Sequence, residues 1–275
     1  MGYYGSVILM VACLVLILNF NLFGFRSEGA ATRFSFLLVG IWWILFSTIS
    51  FNVLPQQVYR SRSHNIWTKG YHEVLKVWRS LKSTPDLKRF LTSFFFYNMG
   101  VQTVMYLATL FGTDVLNLPS EKLIGTILLI QLVAAAGAWL FARLSRQKGN
   151  AFVLSFMILC WIGVCFAAYF ISHELQFYAL ACAVGMIMGG IQSLSRATYA
   201  KLIPENTIDH ASYFSFYDVT YNLSIVFGTF SFGLINQLTG SMRNSALALA
   251  VYFVIGLILL SQVKSADIAT PKSKI

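Results

Sequence analysis

Charge is scarce in this chain. Only 11% of its 275 residues are Asp, Glu, Lys or Arg, against 57% hydrophobic, and the mean hydropathy is +0.68. So little polar surface cannot clothe a soluble globule of this size, which excludes the soluble classes and leaves a polytopic membrane protein. Proline is sparse too: Pro55, Pro85, Pro119, Pro204 and Pro271 all fall outside or at the rim of the apolar runs, so no helix centre is kinked by one. The four cysteines, Cys13, Cys160, Cys165 and Cys182, sit inside apolar runs without a CxxC or a neighbouring histidine, which gives neither a disulfide framework nor a metal site. No Lys or Arg precedes the first apolar run and no convincing cleavage site follows it, so it reads as a retained helix rather than a secretory signal. Enzyme signatures are missing as well. There is no HExxH, no GxSxG elbow and no glycine-rich phosphate loop, and His64, His72, His173 and His210 all lie in the gaps between runs. No cofactor is implied.

The sequence does hold eight runs long enough to cross a hydrocarbon core that takes about 20 apolar residues as a helix. They cover about Tyr3 to Phe23, Phe34 to Leu54, Phe90 to Gly112, Leu123 to Phe141, Phe152 to Ile171, Leu175 to Leu194, Tyr213 to Leu234 and Ala246 to Val263. The fold class is therefore all-α, a polytopic transmembrane helix bundle. A formal net charge of +10 would suggest nucleic acid in a soluble protein, but here the basic residues are confined to the gaps, which reads as membrane topology. Alternate gaps carry Arg60, Arg62, Lys69, Lys76, Arg79, Lys82, Lys88 and Arg89, then Arg143, Arg146 and Lys148, then Arg196 and Lys201, then Lys264, Lys272 and Lys274. Only Arg26, Arg33, Lys122 and Arg243 fall on the other side, so both termini are expected in the cytoplasm.

The expected organisation is two membrane helices over 1–54, a cytoplasmic linker over 55–89, a six-helix bundle over 90–264 and a tail over 265–275. Within the linker, Trp67, Tyr71, Val74, Leu75 and Trp78 recur at helix spacing opposite Lys69, Lys76, Arg79 and Lys82. That is the pattern of a basic amphipathic helix on the inner leaflet, or else of a solvated loop with incidental periodicity.

Two cytoplasmic joints are expected to act as hinge and gate. One is the basic turn from Ala142 to Gly149, where Arg143 and Arg146 can reach helix C-terminal carbonyls and Gly149 can supply a left-handed turn. The other runs from Gly189 and Gly190, which let helices approach, through Gln192, Ser193 and Ser195 to Arg196 and Lys201. Polar residues inside the spans are the site candidates, because an unsatisfied polar group is costly in lipid. Asn98 and Gln102 share one helix face, and Tyr217, Asp218, Tyr221 and Asn222 form a stripe on another, so the two faces could line one path. Asp218 is the only acid well inside a span; it lies on that path or else near a helix end at the surface. Gln131 and Gln192 are lone amides that either bridge to a neighbouring helix or line the path. Trp42 and Trp43 sit mid-span, where packing is expected rather than interfacial anchoring.

A resemblance now follows from several segments in order: Phe95 to Thr103, Leu123-Ile124-Gly125 with Gln131, the basic turn, Gly189 to Arg196, Leu202-Ile203-Pro204, Phe216 to Val219, and Gln237-Leu238-Thr239-Gly240-Ser241 with Arg243. Over residues 90–263 the chain resembles the vacuole-effluxer-like branch of the major facilitator superfamily. The resemblance implies a secondary transporter of two six-helix halves, exporting a small solute such as amino acids by alternating access. This chain is similar to the last eight of the twelve helices, so its six-helix bundle would be the C-terminal half. The implied partners are the lipid bilayer, a small solute, and a second chain or second copy supplying the first four helices; independently of the resemblance, the absence of a cleavable signal and the short loops favour a bacterial inner membrane as the setting. Four positions depart from the family pattern, Met99 and Ser145 standing where acids are usual, Asn222 where a base is usual and Thr229 where a proline is usual. Those departures put ion coupling in doubt, and with the missing helices they leave open a truncated, non-transporting membrane subunit.

Overall fold

Each apolar run closes into a helix, the one element that satisfies its own backbone polar groups without help from water. The computed structural model describes residues 2–53, 66–204, 207 and 209–263. Among these the chain forms nine α-helices and no strand: α1 (Gly2–Leu18), α2 (Glu28–Val53), α3 (Ile66–Ser80), α4 (Pro85–Leu116), α5 (Ser120–Lys148), α6 (Asn150–Phe170), α7 (Glu174–Leu202), α8 (His210–Thr239) and α9 (Met242–Ser261). The expected all-α helix bundle is what forms. Arg60, Arg62, His64, Glu205 and the tail with Lys264, Lys272 and Lys274 lie outside the described residues, as do the side chains of Trp67 and Lys69.

Five of the helices, α2, α5, α6, α7 and α9, are long and apolar enough to cross a membrane. The other three expected spans fall short of that for different reasons. The apolar helix α1 has 17 residues, while α4 and α8, with 32 and 30, have the length but carry polar residues such as Asn98, Gln102, Asp218 and Asn222.

The chain divides into two compact units, residues 1–64 and 65–275. In the first, α1 packs on α2, a Cβ on Gly5 would stand 4.0 Å from the Trp42 ring, and that ring lies 4.8 Å from the ring of Phe46. Trp42 therefore packs as expected, whereas Trp43 faces outward and is 69% exposed.

In the second unit, α4 is the central helix, packed on α8 and α9. Phe90, Phe94, Tyr97 and Val101 of α4 are fully buried, and Trp161 of α6 stacks on Phe253 of α9 with ring centroids 5.5 Å apart. Short turns make successive helices antiparallel. One end of the unit thus collects the start of α4, the α5–α6 and α7–α8 joints and the end of α9, and this basic end holds Lys148, Arg196 and Lys201. At the α5–α6 joint Gly149 adopts φ 86°, ψ 155°, a conformation strained for side-chain-bearing residues, and its N–H donates to Ser145 O at 2.9 Å.

The closest helix contact is a glycine seam between α5 and α7. A Cβ on Gly185 would stand 2.7 Å from the carbonyl oxygen of Ile130; one on Gly189 would collide with that of Ala134, and one on Gly137 with that of Met186. Gly185 and Gly189 lie four apart, one above the other on α7, so they admit the partner backbone along two turns.

Helix α3 exists, but its buried face differs from the expected one. Val77 and Leu81 are buried in the core of the unit and Val74 packs against it, whereas Tyr71 and Trp78 are 67% and 60% exposed. The helix is held on the start of α8 by Lys76 with Asp209, by Ser212 donating to Glu73 at 2.9 Å, and by Tyr213 with Ser80 at 3.0 Å. It turns into the bundle Val74, expected on the aromatic face, together with Val77 and Leu81, expected on neither face.

Candidate functional site

The polar side chains of the second unit gather on α4, α7 and α8. Tyr97 is fully buried on α4, and its hydroxyl meets Ser195 Oγ of α7 at 2.7 Å. Ser195 spends its own proton on Ile191 O at 2.5 Å, so Tyr97 is the donor in that pair. One turn nearer the basic end, Phe94 stacks on Tyr217 of α8, centroids 4.4 Å apart, and Tyr199 of α7 approaches the same ring at 4.9 Å. Tyr199 in turn donates to Tyr213 O at 2.7 Å.

Outside this aromatic layer lies an ion pair. Arg196 Nη2 of α7 donates to Asp218 Oδ1 of α8 at 2.6 Å, and the guanidinium carbon stands 5.6 Å from the Tyr217 ring centroid. Both charged side chains are more than half exposed, at 58% and 54%. Asp218 is about 12 Å along the axis from the start of α8. One turn further, Asn222 is exposed and donates to Asp218 O at 2.7 Å. The outer face of α7 and α8 thus presents Arg196, Asp218 and Asn222 together.

Asn98 and Gln102 are not on that face. They are 3% and 4% exposed: Gln102 donates to Asn98 at 3.3 Å, and Asn98 donates to Ser224 Oγ of α8 at 2.5 Å. The expectation that they share a surface with Asp218 and Asn222 meets a different geometry, in which α8 meets the buried amides of α4 through Ser224 on one side and presents Asp218 to Arg196 of α7 on another. Gln131 is half-buried on α5, outside these hydrogen bonds, and Gln192 and Tyr221 are half-buried on α7 and α8.

At the basic end, Asn150 joins three segments. It accepts from Ser145 at 2.6 Å and from Lys201 at 3.3 Å, and donates to Thr198 at 3.0 Å. Arg143 lies over the Trp139 ring at 5.8 Å. Sequence reasoning named Ser145 and Lys201 but missed Asn150 and Thr198; a polar residue directly after the turn glycine was the available signal. An apolar cavity of about 70 Å³ lies beyond Gln102, walled by Val104, Phe111, Val164, Phe177, Phe232 and Leu249. With no charged side chain in its lining, it has little to orient a polar solute.

Antiparallel membrane-length helices, a glycine seam and a polar layer between three of them define a polytopic membrane helix bundle. Residues 1–267 match the family model described as vacuole effluxer Atg22 like, and the chain belongs to that family. It is 30% identical over 263 residues to the uncharacterized MFS-type transporter YxiO of Bacillus subtilis, covering 95% of this chain and 60% of that protein. It is 28% identical over 276 residues to autophagy-related protein 22 of Cryptococcus neoformans, covering 90% of this chain and 48% of that one. With the counterpart from Eremothecium gossypii it shares 27% over 241 residues, covering 81% and 47%. The chain therefore spans about half to three-fifths of the length of these relatives. It is an integral, multi-pass membrane protein.

Proposed function

We propose that this chain forms the solute-facing and gating part of a secondary transporter that exports a small polar solute of the amino-acid class by alternating access. The observation that carries the reading is the exposed Arg196–Asp218 pair on two helices of a membrane-spanning bundle. Charged groups in such helices are costly unless they face a cavity or another polypeptide, so this face of α7 and α8 requires a polar neighbour. Arg196, Tyr217, Asp218, Tyr221 and Asn222 line the path. Asn98, Gln102 and Ser224 sit behind it and fix α8, with Gln131 and Gln192 as bridges between helices. Gly189, Gly190 and the Arg143–Gly149 turn carry the rocking motion, and Ser195 with Arg196 closes the gate. The basic end faces the cytoplasm, as the lysine and arginine bias favours. We place the chain in a bacterial inner membrane, the setting favoured by its short loops and by its similarity to the Bacillus subtilis relative. Further helices, from a second copy or another chain, cover the α7–α8 face; the greater length of the relatives supports this.

The test is flux of labelled amino acids from proteoliposomes containing the chain alone, or together with a polypeptide supplying additional helices of the same family. Asp218→Asn abolishes flux and Thr239→Ala leaves it. Absence of flux in every combination overturns the transporter reading and favours a non-transporting membrane subunit, the reading to which the neutral Met99, Ser145 and Asn222 also point.

A further inference from the structure

Helix α3 has three sides, not two. Wound at 3.6 residues per turn, Val74, Val77, Ser80 and Leu81 fall on the side packed against the bundle. Tyr71, Leu75 and Trp78 fall together on a second side, where Tyr71 and Trp78 are exposed and Leu75 is partly so. His72, Lys76 and Arg79 fall on the third, all exposed, with Lys82 following at the end of the helix. A solvated helix has no use for the aromatic side, and a wholly protein-covered helix has no use for the basic one. The combination matches the boundary of a bilayer, where aromatic rings sit at headgroup depth and cations meet anionic lipid.

The charges at this corner favour an anionic partner. The nearby acids are engaged by the protein: Asp209 by Lys76, Glu73 by Ser212, and Asp86 by Arg89, which also donates to Gln262 O at 3.3 Å. Arg79, Lys82 and Lys88 remain exposed around them. The same helix grips the start of α8, the helix that bears Tyr217 and Asp218.

We propose that α3 is a lipid-docking helix: Tyr71, Leu75 and Trp78 seat in the bilayer leaflet at the basic end, and Arg79 and Lys82 bind the headgroups of anionic phospholipids. This rests on the unit spanning a membrane and is independent of whether the chain transports anything. Because α3 is tied to α8 through Lys76, Glu73 and Ser80, the lipid at this site bears on the position of the Asp218 helix.

The test uses the full chain in phosphatidylcholine vesicles with and without phosphatidylglycerol. The four native cysteines are replaced, and single nitroxide labels are placed through Tyr71→Cys, Leu75→Cys, Trp78→Cys, His72→Cys and Val77→Cys. Labels at 71, 75 and 78 are expected to respond to oxygen and not to a water-soluble nickel chelate, the label at 72 to the chelate, and the label at 77 to be immobile. Depth at 78 should increase with phosphatidylglycerol, and Arg79→Gln with Lys82→Gln should remove that increase. Chelate access at 71, 75 and 78 overturns the proposal in favour of a solvated helix. Protection there from both reagents overturns it in favour of a polypeptide partner, and a depth indifferent to phosphatidylglycerol overturns the headgroup site. If the cysteine-free chain does not fold, the native chain is read instead through quenching of tryptophan emission by brominated lipid. Trp78→Phe then lowers the quenched fraction, and an unchanged fraction rejects the lipid contact.

Discussion

Arg196 and Asp218 meet at 2.6 Å across α7 and α8 with both side chains more than half exposed, and the same guanidinium lies over the ring of Tyr217. On a face open to an aqueous path, a pair this exposed contributes little to stability, about 0–1 kcal/mol, so a structural role does not account for it. Arg196→Gln or Asp218→Asn should therefore shift unfolding in mixed micelles by less than about 1 kcal/mol while flux falls. Exchanging the charges, Arg196→Asp with Asp218→Arg, should recover part of the flux that either reversal alone removes. Recovery in stability without recovery in flux would show that the stacking of Arg196 on Tyr217, rather than the sign of the pair, serves the gate.

The α5–α7 seam yields a prediction of the opposite kind, large in stability and specific in position. At Gly189 a methyl group would run into the backbone of Ala134, which cannot yield as a side-chain tip can. Gly189→Ala is expected to cost about 1–3 kcal/mol through overpacking, and Gly185→Ala a similar amount. Gly163 on α6 has nothing within 4 Å of its would-be Cβ. Gly163→Ala should be neutral or stabilising by up to about 1 kcal/mol. Equal effects at the three positions, read by unfolding in mixed micelles, would remove the seam as an explanation.

The sequence made the helices legible and left their rotations hidden. Periodicity places Tyr71, Val74, Leu75 and Trp78 within about 100° of one another on α3, and only the neighbouring bundle decides that the buried side is turned from there toward Val74, Val77 and Leu81. The same gap separates Asn98 and Gln102 from Asp218 and Asn222. Spacing of four shows that each pair shares a face, not which helix that face meets. The glycine seam was half visible: Gly189 was singled out with its neighbour Gly190, while the partner that doubles the contact, Gly185, lies four residues earlier. Tyr97 with Ser195 joins helices 98 positions apart in the chain, a separation at which no local pattern speaks.

The turn between α5 and α6 should respond to substitution in a graded way. Gly149 holds φ 86°, ψ 155°, a conformation costing other residues about 1–3 kcal/mol. Gly149→Ala should lose stability in that range and open the joint to protease. Ser145→Ala should lose less, about 1 kcal/mol, because Asn150 keeps its bonds to Thr198 and Lys201. A Ser145 variant that loses more than the Gly149 variant would mean that the hydroxyl–amide network, not the backbone turn, holds the joint.

The buried amides test whether polar groups behind the path act on solute or on structure. Asn98 donates to Ser224 at 2.5 Å and accepts from Gln102, so its removal leaves an amide of α4 and a hydroxyl of α8 short of a partner. Hydrogen bonds between membrane helices couple by about 1 kcal/mol. A double-mutant cycle of Asn98→Ala and Ser224→Ala, read by unfolding in mixed micelles, should return a coupling of that size. If these residues only position α8, Asn98→Ala lowers the maximal rate of export through a misplaced Asp218 and leaves the KM for solute unchanged. A raised KM with undiminished stability would instead show that solute reaches Asn98, and that the α4–α8 contact opens during transport.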